Sequence, residues 1–146
     1  MSPSQLTELL HREIPLTRAL GLHVLEHNEH GLTVTGPFEP NKNLHNTVFA
    51  GSIYCFATLA GWSLVHSISH QQNLKGSIVL HHAQIDYKRP ITSDPTAFAR
   101  QPDAMALAEF TRVFLTKGKA KLRVEVDLNQ DDKLAARFFG DYVLLP

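Results

Sequence analysis

Ala50-Gly51-Ser52, at the head of the apolar run TVFAGSIYCFATLAGWSLVH from Thr47 to His66, are the first residues in this chain that can do chemistry. The run reads as one helix. The first turn of a helix carries backbone N–H groups without intrahelical acceptors, and such groups stabilise an oxyanion. Gly51 has no Cβ, so a carbonyl can approach closely. The same small residues can instead let the helix pack against a strand. Asn43 and His45 precede this turn on the loop PNKNLHN. Either can orient a water, and an imidazole exchanges its proton near neutral pH. A solvated histidine beside a turn-forming asparagine is the other reading. Thr58 lies deeper in the helix, where it either faces a ligand or bonds its own backbone four residues back.

Other polar groups are weaker candidates. His81 and His82 are adjacent on a strand-like segment, so their side chains take opposite faces and cannot serve one compact site. Val79, Ala83 and Ile85 share the face of His81, and Gln84 and Asp86 share that of His82. His66 and His70 have the i, i+4 spacing of a helical ligand pair, but no HExxH glutamate lies between them and no third ligand is identifiable, so no metal is expected. Cys55 sits in the apolar run, where burial keeps the thiol protonated and inert.

The elements that must position these residues follow from changes of period. Ser4 is a candidate cap for a first helix carrying Leu6, Leu9 and Leu10, limited by Pro15. Gly21 to Phe38 contains two strand-like runs about a turn at Asn28 to Gly31. After the long helix, Gly76 to Arg89 alternates and ends at Pro90. Further strands are expected over Thr96–Arg100, Ala106–Thr116, Lys121–Leu128 and Leu134–Leu145, joined by turns at Lys117–Lys119 and Asn129–Lys133. Lys121, Arg123, Glu125 and Asp127 alternate with Leu122, Val124, Val126 and Leu128, as a sheet with one wet face requires. A helix apolar all round must be enclosed, and an antiparallel sheet wrapped around it is the enclosure.

Composition narrows the possibilities. The 146 residues fit one domain, 1–146, with no disulfide or metal needed for folding. Fourteen Lys and Arg balance fourteen Asp and Glu, so no net field draws the chain to nucleic acid or anionic lipid. One cysteine suits a reducing compartment. The first residues do not read as a secretory signal, and the long apolar run is broken by Ser52, Thr58, Gly61 and Ser63. The chain is therefore expected to be cytoplasmic and soluble, with no membrane or nucleic-acid partner.

The order helix, hairpin, long helix and then strands resembles the α+β hot-dog fold, a curved antiparallel sheet wrapped around a central helix. NLHNTVFAGSIYCFATLAGW resembles the start of that helix in hot-dog acyl-thioesterases, and DYKRPI from Asp86 to Ile91 resembles the aromatic, Arg-Pro ending of their next strand. The chain is most similar to the thioesterase domain of the YiiD C-terminal type. The resemblance places Asn43 on the family's Asn, Thr47 on its Thr, Phe49 on its His and Ala50-Gly51 on its Gly-Gly. Thr58 stands where the acidic base or nucleophile usually sits. A neutral threonine can position a water but not deprotonate it.

The resemblance implies hydrolysis of an acyl thioester carried on coenzyme A or an acyl-carrier protein, with no cofactor. The carbonyl would rest on Ala50, Gly51 and Ser52, with Phe49 also against the substrate, and Asn43, His45 or Thr58 would position the water. Tyr87, Lys88 and Arg89 could contact carrier phosphates, or form an ordinary solvated strand end. Tyr54, Phe56, Trp62 and Phe49 divide between core packing, the default, and walls of an acyl tunnel. A homodimer through the long strand is expected, with a dimer of dimers as an extension. The rival readings are a non-catalytic acyl-thioester-binding or regulatory module and, less well matched, a hot-dog dehydratase or hydratase.

Overall fold

The computed structural model describes residues Met1 to Pro146. It begins with α1 (Pro3–Glu13) and a short α2 (Leu16–Leu20). Ser2, rather than Ser4, caps α1. Its hydroxyl accepts from the Gln5 amide while the Gln5 side chain accepts from the Ser2 amide. Pro3 already occupies the first helical position, so Ser4 lies inside the helix. A hairpin follows, β1 (His23–Asn28) and β2 (Gly31–Thr35), with Asn28 opposite Gly31 as the turn residues imply.

The long helix, α3, runs from Ala50 to Gln71, starting three residues later than the apolar run suggests and extending past His66. Then come β3 (Ser77–Tyr87), β4 (Thr96–Arg100), α4 (Ala104–Lys117), β5 (Ala120–Gln130) and β6 (Lys133–Leu145). The six strands form one antiparallel sheet in the order β1-β2-β4-β5-β6-β3. α3 lies against it, packing on β2, β3, β4, β5 and β6. This is the hot-dog arrangement expected from the order of elements. The core is continuous, with Phe56, Leu64 and Val65 of α3 meeting Leu32, Val34, Val124, Phe138 and Tyr142 of the sheet.

Two expectations are corrected. Ala106–Thr116 is not a strand: it belongs to α4. Asp103 caps that helix through the Ala106 amide, Gly118 in the left-handed conformation stops it, and Ala, Leu, Met and Glu between them favour it. The chain after α3 is therefore not all strand. Second, Val79 does not share the inner face with Ala83 and Ile85. A register shift between Leu80 and His82 marks a bulge at His81, which moves the alternation by one residue. Ile78, Leu80, Ala83 and Ile85 pack on the core side, while Val79, His81 and His82 are exposed.

The alternation in β5 holds, with Leu122, Val124, Val126 and Leu128 buried. Its charged face forms a network with β6 and β4. Arg123 grips Asp141 through two hydrogen bonds, Arg137 grips Asp127 likewise, and Arg100 reaches Glu125 and Asp127. No helix is long and apolar enough to cross a membrane.

The two sheet edges differ. At the free edge of β1, α1 occupies the start of the strand: the Val24 amide donates to Thr7 Oγ1, and His11 Nε2 bonds the Leu22 carbonyl next to the strand. β3, at the other edge, is eleven residues long and contains neither Lys nor Pro. No strand of the chain pairs with its outer edge.

Candidate functional site

The loop before α3 is held by several bonds. Asn41, buried on its 3₁₀ turn (Glu39–Asn41), donates from its side chain to the Leu20 and Pro37 carbonyls, and its own carbonyl accepts from the Phe49 amide. The Val48 amide donates to the Ile91 carbonyl. Asn43 closes the next turn. Its Oδ1 accepts from the amides of His45 and Thr47, its Nδ2 donates to Thr47 Oγ1, and its backbone amide donates to the Thr47 carbonyl. Asn46 adopts φ 62°, which Asn tolerates better than most residues. Asn43 therefore shapes the loop, and its polar atoms already have partners. The imidazole of His45, by contrast, is exposed and has no hydrogen bond within the chain.

This framework fixes the first turn of α3. Phe49 is the N-cap residue and provides no side-chain cap, and no acidic residue lies in the turn. The amides of Ala50, Gly51 and Ser52 have no acceptor in the chain. The Phe49 ring folds over Gly51 so closely that a Cβ there would collide with it. Tyr87 reaches the same turn from β3, its hydroxyl donating to the Ala50 carbonyl at 3.0 Å. Burial pushes the Tyr87 phenol up, and nearby Tyr54 and Cys55 add to the effect, so it remains a donor.

Leu44, 90% exposed, and Phe49, 54% exposed, stand beside this turn with the exposed Ala50 and Tyr87. The start of the turn at Ala50 therefore faces open surface in the single chain, while Gly51 lies under the Phe49 ring and Ser52 is buried. The Lys88 and Arg89 amides both donate to the Ala135 carbonyl, and Arg89 Nε donates to the Leu134 carbonyl. Tyr87, Lys88 and Arg89 thus share one strand end, but only Lys88 has a side chain without a partner there.

From the first turn a less buried stripe, Gly51, Tyr54, Cys55, Thr58, Trp62 and His66, runs along α3 beside β3. Trp62 Nε1 donates to the Ile78 carbonyl at the far end of the seam. Tyr54 meets the Phe138 ring edge-on, and Trp62 stacks on His66. Phe56 is fully buried and belongs to the core. Burial raises the Cys55 thiol, as its setting predicts, and lowers His66, with His70 lowering it further. No group of three or more His, Cys, Asp or Glu is arranged to hold a metal.

The Thr58 hydroxyl is buried without a hydrogen-bond partner, and its carbonyl accepts from the Tyr142 hydroxyl at 2.7 Å. Thr58 follows Gly51 by seven residues, so at the helical rise it stands roughly 10 Å along the axis. One carbonyl cannot touch both the Gly51 amide and the Thr58 hydroxyl of the same copy. Asn41 and Tyr142 were not legible as site residues. Asn41 lies in a run of polar loop residues, and the partner of Tyr142 is 84 positions away.

Residues 3–146 match the family described as "Putative thioesterase (yiiD_Cterm)". The crystal structure of a "putative thioesterase from Shewanella oneidensis" is 38% identical, covers 99% of this chain and 97% of its own, and superposes with a TM-score of 0.85. A protein of unknown function from Chlorobaculum tepidum TLS is 27% identical, with 99% and 96% coverage and a TM-score of 0.94. A "Probable Thioesterase" from Pseudomonas aeruginosa, at 18% identity, 99% and 96% coverage and a TM-score of 0.79, shares the fold.

Proposed function

We propose, because the chain belongs to the family described as "Putative thioesterase (yiiD_Cterm)", that it hydrolyses an acyl thioester carried on coenzyme A or an acyl-carrier protein. The observation that carries this reading is the uncapped first turn of α3, with the amides of Ala50, Gly51 and Ser52 free and Gly51 bare beneath the Phe49 ring. Such a turn binds the oxygen of a thioester carbonyl more strongly as it gains charge in the tetrahedral intermediate. Water adds to the carbonyl carbon, the C–S bond breaks, and the carrier leaves as a thiol with a proton. The other product is a carboxylic acid.

His45 is the residue we assign to accept the proton of the attacking water, since its imidazole is free on the loop beside this turn. Asn43 acts as a positioning residue through the His45 and Thr47 amides. The Thr58 hydroxyl orients the water or the acyl group. Tyr87 holds the turn through Ala50, and Lys88 is free to meet a carrier phosphate.

The exposed Ala50 and Phe49 at the first turn and its distance from Thr58 support a site completed by a second copy. The unpaired edge of β3 is where that copy would pair, antiparallel, making a homodimer with two sites at the seam. The protein is proposed to act in the cytoplasm. The lack of a carboxylate at Thr58 favours one rival, an acyl-thioester-binding module without turnover.

A thiol-release assay over acyl-coenzyme A chain lengths, run beside sedimentation of the wild type, tests the reading. Hydrolysis by a dimer is expected, with kcat lowered about 100-fold or more in His45→Ala, as loss of a general base implies. Tight binding of acyl-coenzyme A with no thiol released would sink the hydrolase in favour of the module. Full activity in His45→Ala would remove His45 from its role.

A further inference from the structure

Between Glu109 and Glu125 the sequence contains no acidic residue and, past Arg112, which pairs with Glu109, holds Lys117, Lys119, Lys121 and Arg123. The fold gathers these cations. Lys117 ends α4, Lys119 sits in the turn, and Lys121 is the second residue of β5. Ala120 turns into the core, so Lys119 and Lys121 lie together on the outer face. They surround a cavity of about 420 Å³ with Val113 of α4, Val143 of β6 and His81 at the β3 bulge.

None of the three lysines has an ion-pair partner. Asp141, whose charge Lys121 feels, is already held by Arg123 through two hydrogen bonds, and Glu109, on α4 before Lys117, is held by Arg112. Lys117 also answers the negative end of α4. Lys119 and Lys121 have no such duty. In a chain of zero net charge, this is a local concentration of positive charge rather than part of a general positive surface.

The cavity has both aliphatic and cationic walls. Val113 and Val143 with the flat His81 ring suit a heterocycle, and the ammonium groups suit phosphates. A volume of this order fits a mononucleotide. We propose that this cavity takes the phosphorylated nucleotide end of acyl-coenzyme A. The proposal rests on the hydrolase reading and on the β3 pairing given above.

Lys121 lies opposite Val143, and Val143 opposite Val79, near the start of β3, whereas the first turn of α3 lies by Tyr87 at its end. Eight residues of strand separate Val79 from Tyr87 by roughly 26 Å. In an antiparallel pair of β3 strands the start of one lies beside the end of the other. The lysines of one copy would thus lie on the outer face of the sheet at the end where its partner's first turn of α3 lies on the inner face, and the carrier would pass between them around the strand ends.

Calorimetric titration with free coenzyme A, dephospho-coenzyme A and pantetheine tests the site. Affinity should fall in that order and weaken with salt. In Lys119→Ala/Lys121→Ala, with an unchanged thermal melt, coenzyme A affinity should drop about tenfold or more toward that of pantetheine. Equal affinity in wild type and variant, no binding by either, or lysine-dependent binding to anionic lipid vesicles without binding of coenzyme A would each overturn it. The titration reads free coenzyme A, so its result stands apart from turnover. Failure of the hydrolase reading shows separately, as no thiol released from acyl-coenzyme A or acyl-pantetheine.

Discussion

At the scale of single residues, the tightest constraint lies where α3 crosses β6. Gly61 faces Tyr142 so closely that a Cβ would meet the phenolic oxygen and ring well inside van der Waals contact. An Ala in place of Gly inside an unconstrained helix would stabilise it by about 1 kcal/mol. Here overpacking wins, because Tyr142 is fully buried and fixed by its bond to the Thr58 carbonyl. Gly61→Ala is expected to lose about 1–3 kcal/mol in urea denaturation. Adding Tyr142→Phe should recover part of that loss, although Tyr142→Phe alone costs about 1 kcal/mol. Additive losses in the double variant would contradict the contact. Gly51 differs, because its obstacle is the exposed Phe49 ring, which can swing aside.

At the scale of elements, the sequence signals were reliable where period and turn chemistry agreed. The charged-aliphatic alternation of β5 and the Asp131-Asp132 turn, with φ of 50° and 64°, gave the β5–β6 hairpin. They failed over Ala106–Thr116, where a short apolar stretch carries helix and strand periods alike. The deciding signals were Asp103 before it and Gly118 after it. Asp103→Ala should cost about 1 kcal/mol and lower the α-helical circular dichroism signal. No change in either would show that packing of Phe110 alone holds α4. The bulge at His81 left no mark in a single sequence, because it depends on pairing with β6. The candidate site was legible as a set of loop and helix residues. The occupation of Asn43 by its own loop was not, since its hydrogen bonds depend on the loop's closed shape.

At the scale of the whole molecule, burial sets the response to acid. His27 and His66 are held below the ordinary imidazole range, mainly by desolvation. The unfolded chain takes up these protons near pH 6.5 while the folded chain resists, so the unfolded state binds more protons and stability falls as pH drops through about 6.5. Asp141 is held below the usual carboxylate range by Arg123, so its contribution is present above about pH 4 and is lost on further acidification. Denaturation midpoints measured across pH should thus decline in two stages, with His66→Gln weakening the first and Arg123→Met the second. A single decline below pH 4 would remove the histidines from the account. The unequal flanks of the sheet have a further consequence. A protomer with β3 unpaired but with Thr7 and His11 seated at the start of β1 offers later arrivals no second equal template. Strand addition would thus be favoured at one flank and opposed at the start of the other, which guards against a fibril.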